Sequence, residues 1–518
     1  MRAYDGFQTY YGDLHNHCGI SYGHGSLDDA LLNAREQLDF CSVTGHALWP
    51  DMPVPDATIQ YIVDFHLEGF ARLREGWDEV QRITAAHHRE GEFVTFLSFE
   101  MHSGADGDRT ILYNGAEGEL LTATDLADLH RQLRAIGPGV MAFPHHIGYK
   151  QGQRGINWAT FDPAFAPVVE IVSMHGCSEA DEGPRPFLHS MGPSDHRSTY
   201  RYGLAQGHIA GVVGSTDHHS AHPGSYGHGR TGLWAQAKTR AAIWEALWAR
   251  RTYALTGDRI GVQFAINDQP MGAVLPGDGR REIAFDVIGG APLDCVDVIK
   301  NGAVLRRFSA PDFPQRAMGV GPGVSALRDG EVLHTKLLLE LGWGARNVRV
   351  DWDVRFGISE GKLLAIEPRF RGAEVVAPQE ADPGVHQRNH TSQWTYEGEL
   401  GVAFRTVTHG NPNNMTPATQ GMCLEVEVPA AGEVWAEING HRVSFPVEAL
   451  LEGARAGRLG KIDSPAYRFH RAPRWEELAW RGSFDDVTAP DDDAVYYLRV
   501  RQANDQWAWS SPIWVRTE

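Results

Sequence analysis

Short apolar runs that end in polar residues recur through the first half of the chain. "FCSVTGHA", "EFVTFLSFE", "GVMAFPHHIG", "PVVEIVSMHG" and "IAGVVGSTDHHS" all follow this pattern. Each is short enough for a buried strand with its tip. "SLDDALLNAREQLD" has apolar positions at helical spacing, a serine at the N-cap and acids in the first turn, which predicts a helix. Strand, polar tip and helix in repetition predict an α/β barrel or a doubly wound sheet. In both, function gathers at the C-terminal ends of the strands.

The texture changes after "RRTYALTGDRI", near residue 260. "GVQFAIND", "GMCLEVEVP", "EVWAEINGHRVSF" and "AVYYLRVRQ" read as strands separated by Gly, Pro, Asn and Asp turns. Helical periodicity there is confined to "PVEALLEGARAGRLGK". Residues 261–518 are expected to form one or two β-sandwich units, with an internal boundary near 380.

A length of 518 residues exceeds one ordinary core and suggests about three domains, although a barrel absorbs roughly 250 residues alone. No apolar run approaches the ~20 residues of a membrane span. The first residues, MRAYDGFQTYYG, lack the regions of a signal peptide, so a cytoplasmic location is expected. Five scattered cysteines without a CxxC argue against a disulfide framework and a cysteine zinc site. A net charge of −19 opposes binding to nucleic acid or anionic membrane. The expected partner is a small molecule, with self-association into a homo-oligomer left open.

The chemistry lies in the strand tips. "GDLHNHCGIS" puts His15 and His17 two residues apart at a strand end, on one face, with Asn16 turned away. An isolated pair of this kind is more often a polar loop. Here, however, His46, Glu100, His145 with His146, His175, and Asp217 with His218 and His219 occupy the following tips. Imidazole and carboxylate ligate Zn, Mn and Fe. Asp217 and His219 repeat the i, i+2 logic, which leaves His218 facing away as a structural residue. A carboxylate such as Glu100 can bridge two cations at the ~3.5–4 Å separation used in hydrolysis.

In this order over some 200 residues, the set resembles the polymerase-and-histidinol-phosphatase (PHP) superfamily. The resemblance covers about residues 10–260. It implies a distorted (β/α)7 barrel followed here by the β-sandwich-rich C-terminal region, with two or three divalent metals at the strand ends. It also implies the ligand sets: His15, His17, Glu100 and Asp217 for one metal, and Glu100, His145 and His175 for the next. His46, His219 and His24 would hold a third. Two positions depart from the family pattern. Gly45 stands where an Asp is usual, and Gly23 stands at a ligand position, with His24 one residue later in a glycine-rich turn. The β-rich half is similar to a branch of long, hydrolase-like PHP proteins.

The resemblance implies a metal-dependent hydrolase in which Glu100, Asp217 and His219 are catalytic and Mn or Zn, or Fe, activates a water. PHP enzymes most often cleave phosphoesters. A small phosphodiester is favoured over a monoester, because a dianion calls for more cationic contacts. Arg109, Lys150, Arg154 and Arg197 are the candidate substrate-binding cations, with Arg230 nearby, since guanidinium matches phosphate oxygens. His102, His189 and His196 are candidates for protonating the leaving group. One alternative is a carboxyl ester, carbamate or lactone, with Trp49, Trp158 and Trp234 lining an apolar pocket. The other is a non-catalytic carbohydrate-binding protein.

Overall fold

The computed structural model describes residues 1–277, 279–312, 330–373, 389–411, 417–487 and 493–517. The boundary expected near 380 lies outside the described residues. The chain is a mixed α/β protein, rich in strands throughout. In the first half, β1 (Gln8–Asp13), β2 (Phe40–Ser42) and β4 (Val94–Met101) run parallel, with the short β3 (Gly45–Leu48) beside β4. Then β5 (Arg109–Tyr113) and β6 (Val140–Pro144) continue the sheet as an antiparallel meander. A separate parallel pair, β7 (Val168–Ser173) and β9 (Gly211–Gly214), carries the two-residue β8 (Gly176–Cys177) on its edge. On the other side of β1 lie β10 (Arg230–Ala235) and β11 (Thr252–Leu255), both antiparallel. Among the described residues these ladders do not close into a ring.

Local chemistry explains the helices. α1 (Leu27–Gln37) starts where Ser26 Oγ accepts from Asp29 N at 3.0 Å, and Asp28 and Asp29 face its positive end. α2 (Gln60–His87) turns Val63, Phe70, Leu73, Trp77 and Val80 inward. α3 (Leu126–Ile136) is capped by Asp125 and ends at Gly137, whose φ of 87° stops the helix.

Past residue 260 the chain is strand-dominated. Two five-stranded sheets, one centred on Gln420–Pro429 and Val332–Trp343, the other on Arg349–Ile358, share a core of Leu337, Trp352, Phe356, Leu424 and Val434. The alternation of buried and half-buried positions in Val332–Trp343 is that of a strand with one covered face. The final strands return to the first half: Trp507–Ser510 pairs with β11, so one fourteen-stranded sheet crosses residue 260. A shared core of Tyr4, Trp234, Tyr253, Phe264, Trp480 and Tyr496 backs it. Trp158 and Trp234 belong to the packing, their indoles donating to Thr199 O and Val262 O. Among the described residues no helix is long and apolar enough to cross a membrane. All five cysteines are free and buried.

Candidate metal centre

The centre grows from the loop that follows β1. His15 and His17 turn the same way, their Nε2 atoms 3.2 Å apart, while Asn16 points elsewhere and donates to Ser42 O at 2.7 Å. The backbone stitches this loop to that of Asp217: Asp217 N donates to His15 O, and His17 N to His218 O, both at 2.8 Å. Asp217 itself sits at φ 53°, the left-handed region that a non-glycine residue rarely occupies, which turns its carboxylate into the cluster.

Glu100, on β4, lies at the middle. Its Oε2 is 3.3 Å from both His15 Nε2 and His17 Nε2, and 3.7 Å from His46 Nε2. Its Oε1 is 3.3 Å from His145 Nε2 and 3.0 Å from His102 Nδ1. Asp217 Oδ1 faces His17 Nε2 at 3.0 Å, and its Oδ2 faces His175 Nε2 at 2.7 Å. Sets of atoms close enough to share one ion are His15, His17 and Asp217; Glu100, Asp108, His145 and His146; His146, His175 and Asp217; His17, His46 and His219; and His46, Glu100 and His102.

The outward nitrogens show what these rings are arranged to do. In six of them Nδ1 meets an oxygen: Glu170 for His15, Thr44 O for His17, Ser21 Oγ for His46, Thr110 Oγ1 for His145, Tyr149 OH for His175 and Asp217 O for His219. A ring whose Nδ1–H is so engaged presents the Nε2 lone pair inward, as a metal ligand must. Glu100 Oε2 and His145 Nε2 are buried and have no hydrogen-bond partner. Buried polar atoms are rarely left so, and a divalent cation among these nitrogen and carboxylate donors would satisfy both. The residues fit divalent ions of this kind.

The electrostatics divide these groups: against burial, Asp217, Glu170 and Glu100 hold His15 well above the ordinary histidine value. Burial opposes charge on Glu100, yet His145, His102 and His46 hold its carboxyl well below the usual range. Asp217 is likewise held down, against burial, by His15 and His175. Burial, reinforced by neighbouring rings, pushes His46, His145 and His219 well below the ordinary histidine value. Neutral imidazole and ionised carboxylate are the ligating forms.

Not every expected site residue joins. His24 belongs to none of the sets, and its backbone N–H donates to His219 O at 2.8 Å. Its turn is closed by Gly23 N donating to Cys18 O and Gly19 N to Gly25 O, and His17 takes its place beside His46 and His219. Arg109 is buried, its guanidinium spent on the carbonyls of Asp106 and Gly107. Arg230 is held by Gly224 O and Gln37. Lys150 and Arg197 are exposed. Arg154 does reach the centre: it pairs with Asp108, comes within 3.9 Å of Glu100 Oε1 and lies over the Trp49 ring. Among the leaving-group candidates, His102 is sealed between Tyr22 OH, Glu100 and Asp108, and His196 is exposed beside Asp181. His189 stands 4.7 Å from the His175 ring and, pushed down to about 4 by burial and His175, is neutral at neutral pH.

The sequence reading passed over Asp108, whose carboxylate meets His102, His146 and Arg154, and Glu170 behind His15. Glu170 carried a signal: it is the one acid in the apolar run "PVVEIVS". Asp108, in a polar loop, carried none.

Residues 214–269 match the model of a family described as protein of unknown function (DUF3604). An uncharacterized protein of Chlamydia pneumoniae is 30% identical over 256 residues, 45% of this chain and 40% of that protein. Uncharacterized proteins of Chlamydia trachomatis and Chlamydia muridarum are each 32% identical over 171 residues, 30% of this chain and 28% of theirs. The matched region thus spans less than half the length of these relatives. A solved Bacteroides vulgatus structure, described as a two-domain protein containing a predicted PHP-like metal-dependent phosphoesterase, aligns over 85% of this chain and 96% of its own. The identity is 13% and the TM-score 0.31. Likeness at that level fixes neither fold nor chemistry.

Proposed function

We propose that this chain is a PHP-type metal-dependent hydrolase that cleaves a phosphoester, with its chemistry carried by residues 1–260. The observation that carries the reading is the inward convergence of the Nε2 atoms of His15, His17, His46, His145 and His175 on Glu100 and Asp217, each ring fixed from behind through Nδ1. When bound, divalent ions supply a water acidic enough to attack near neutral pH and a charge that stabilises the developing oxyanion.

The protein's own groups do the rest. Glu100 turns one oxygen to His15, His17 and His46 and the other to His145, so it spans two neighbouring ligand sets. Asp217 spans His17 and His175 in the same way. Arg154, steadied over Trp49, is the cation at the centre that can hold a non-bridging phosphoryl oxygen. One guanidinium suits a diester monoanion better than a monoester dianion, which supports a small phosphodiester as substrate. Tyr22, stacked 3.5 Å from His46, and Phe65, 4.6 Å from Tyr22, form an aromatic wall beside the ligands. That wall suits an aromatic leaving group and supports the second reading, a carboxyl ester or carbamate.

A chromogenic panel with added Mn²⁺ or Zn²⁺ tests the proposal. Turnover of bis-nitrophenyl phosphate, lost on chelation, is expected. Cleavage of nitrophenyl acetate or a naphthyl carbamate at least about a hundredfold faster than both nitrophenyl phosphates puts the second reading in its place.

A further inference from the structure

Glu170 is a carboxylate with no exposure, in the middle of β7 among Val168, Val169, Ile171 and Val172. An acid in such surroundings is costly unless its oxygens are matched, and both are. Oε2 lies 2.8 Å from His15 Nδ1, and Oε1 accepts from the backbone N–H of His146 at 3.0 Å. The first contact fixes which nitrogen of His15 keeps its proton, so that Nε2 faces His17, Glu100 and Asp217. The second pins His146 at φ 30°, outside the regions that side-chain-bearing residues favour. With the backbone held there, His146 Nε2 faces Asp108 Oδ2 at 3.3 Å.

His15 and His146 belong to different ligand sets. One contains His15, His17 and Asp217; His146 joins Glu100, Asp108 and His145, and also His175 and Asp217. We infer that Glu170 is a positioning residue shared by two adjacent metal sites, one through a side chain and the other through the backbone, so that the two affinities depend on a single carboxylate. The inference rests on the reading that these sets hold divalent metal, and it concerns binding rather than the reaction that follows.

The substitutions separate this role from general packing. Alanine removes both acceptors. Glutamine keeps the volume but offers one acceptor oxygen, and its NH₂ group meets a donor on the other side. Thr110 Oγ1 supports His145 alone, so Thr110→Val is the single-site comparison.

The experiment is zinc titration of the metal-stripped full chain, followed by calorimetry and by metal analysis after dialysis. Glu170→Ala is expected to lose about 10–100-fold in affinity at two sites. Glu170→Gln and Thr110→Val should each lose it at one. Formate, which refills the missing carboxylate, is expected to restore zinc affinity to Glu170→Ala but not to Thr110→Val. This arm keeps the test decisive if alanine also lowers thermal stability. Wild type that binds zinc alongside a Glu170→Ala protein with wild-type affinity at either site overturns the inference alone. Wild type that binds no divalent metal overturns the metal reading together with it.

Discussion

Asp13 and Thr216 stand 203 residues apart, and Thr216 Oγ1 donates to Asp13 Oδ2 at 2.5 Å. The same buried carboxylate accepts from the backbone N–H groups of His15, Thr216 and Gly224. It therefore sets the loop of the first two histidines against the loop of Asp217, and the metal centre inherits its geometry from an acid that ligates nothing. Asp13→Ala leaves several buried donors unmatched and should cost about 3–5 kcal/mol of stability. Zinc binding by whatever fraction stays folded should also weaken. Thermal unfolding with and without metal measures both, and an unchanged Tm would refute the role.

Glu100, like Asp217, comes within 3.7 Å of four ligand rings, here those of His15, His17, His46 and His145. Glu100→Gln is nearly isosteric, so the fold should survive while bound metal falls and turnover drops more than about a hundredfold. Metal analysis and kinetics on one preparation check this. Full metal content with unchanged turnover rejects Glu100 as a bridge.

How much of this was legible in the chain depends on the range of the interaction. His15 and His17 lie in the loop just past β1, outside the strand whose period of two predicted their pairing, yet the two rings still turn one way and Asn16 the other. The acids behind the rings, Asp108 from the loop before β5 and Glu170 from β7, arrive from elsewhere in the chain, and nothing local encodes their pairing. The guanidiniums show the same limit. Arg109 follows Glu100 closely in sequence, yet it folds back on its own loop carbonyls, while Arg154 reaches inward from farther along. Trp507–Ser510 joins β11 across some 250 residues, a pairing that composition near residue 260 does not reveal.

The metal count turns on His24. The third set is His17, His46 and His219; His24 is in none of the sets, and its backbone N–H donates to His219 O. His24→Ala should therefore leave metal stoichiometry unchanged, whereas His46→Ala should reduce it. Metal analysis at saturating Mn²⁺ decides. A loss of one ion in His24→Ala would restore the ligand role that the sequence pattern suggested.

Arg154 separates anionic from neutral substrates. Arg154→Met should raise KM for bis-nitrophenyl phosphate by about tenfold or more, the worth of a charged hydrogen bond. Nitrophenyl acetate, which lacks the anionic oxygens, should be affected far less. Equal losses on the two substrates would mean that Arg154 serves only to hold Asp108.

Glu367 gives the pH dependence of the joint between the halves. Arg259 N donates to its Oε1 at 2.9 Å and Arg369 to its Oε2 at 3.2 Å, while Arg259 also reaches Gln37 O on α1. Burial opposes the charge, but Arg369, Lys336 and Arg259 hold the carboxyl down to about 2. The folded pKa is thus lower than the unfolded value of about 4.5. Its stabilisation is fully present above pH 4.5 and is lost as the pH falls from there towards 2, in total on the order of 3 kcal/mol. Among the described residues, Glu367→Gln also leaves Arg369 with only Asp258, at 3.0 Å, as a carboxylate partner. The Tm difference between wild type and Glu367→Gln should be largest at pH 6–7 and should shrink as unfolding is measured at pH 4 and then 3. A difference that stays constant over that range would mean that Glu367 contributes through packing and not through its charge.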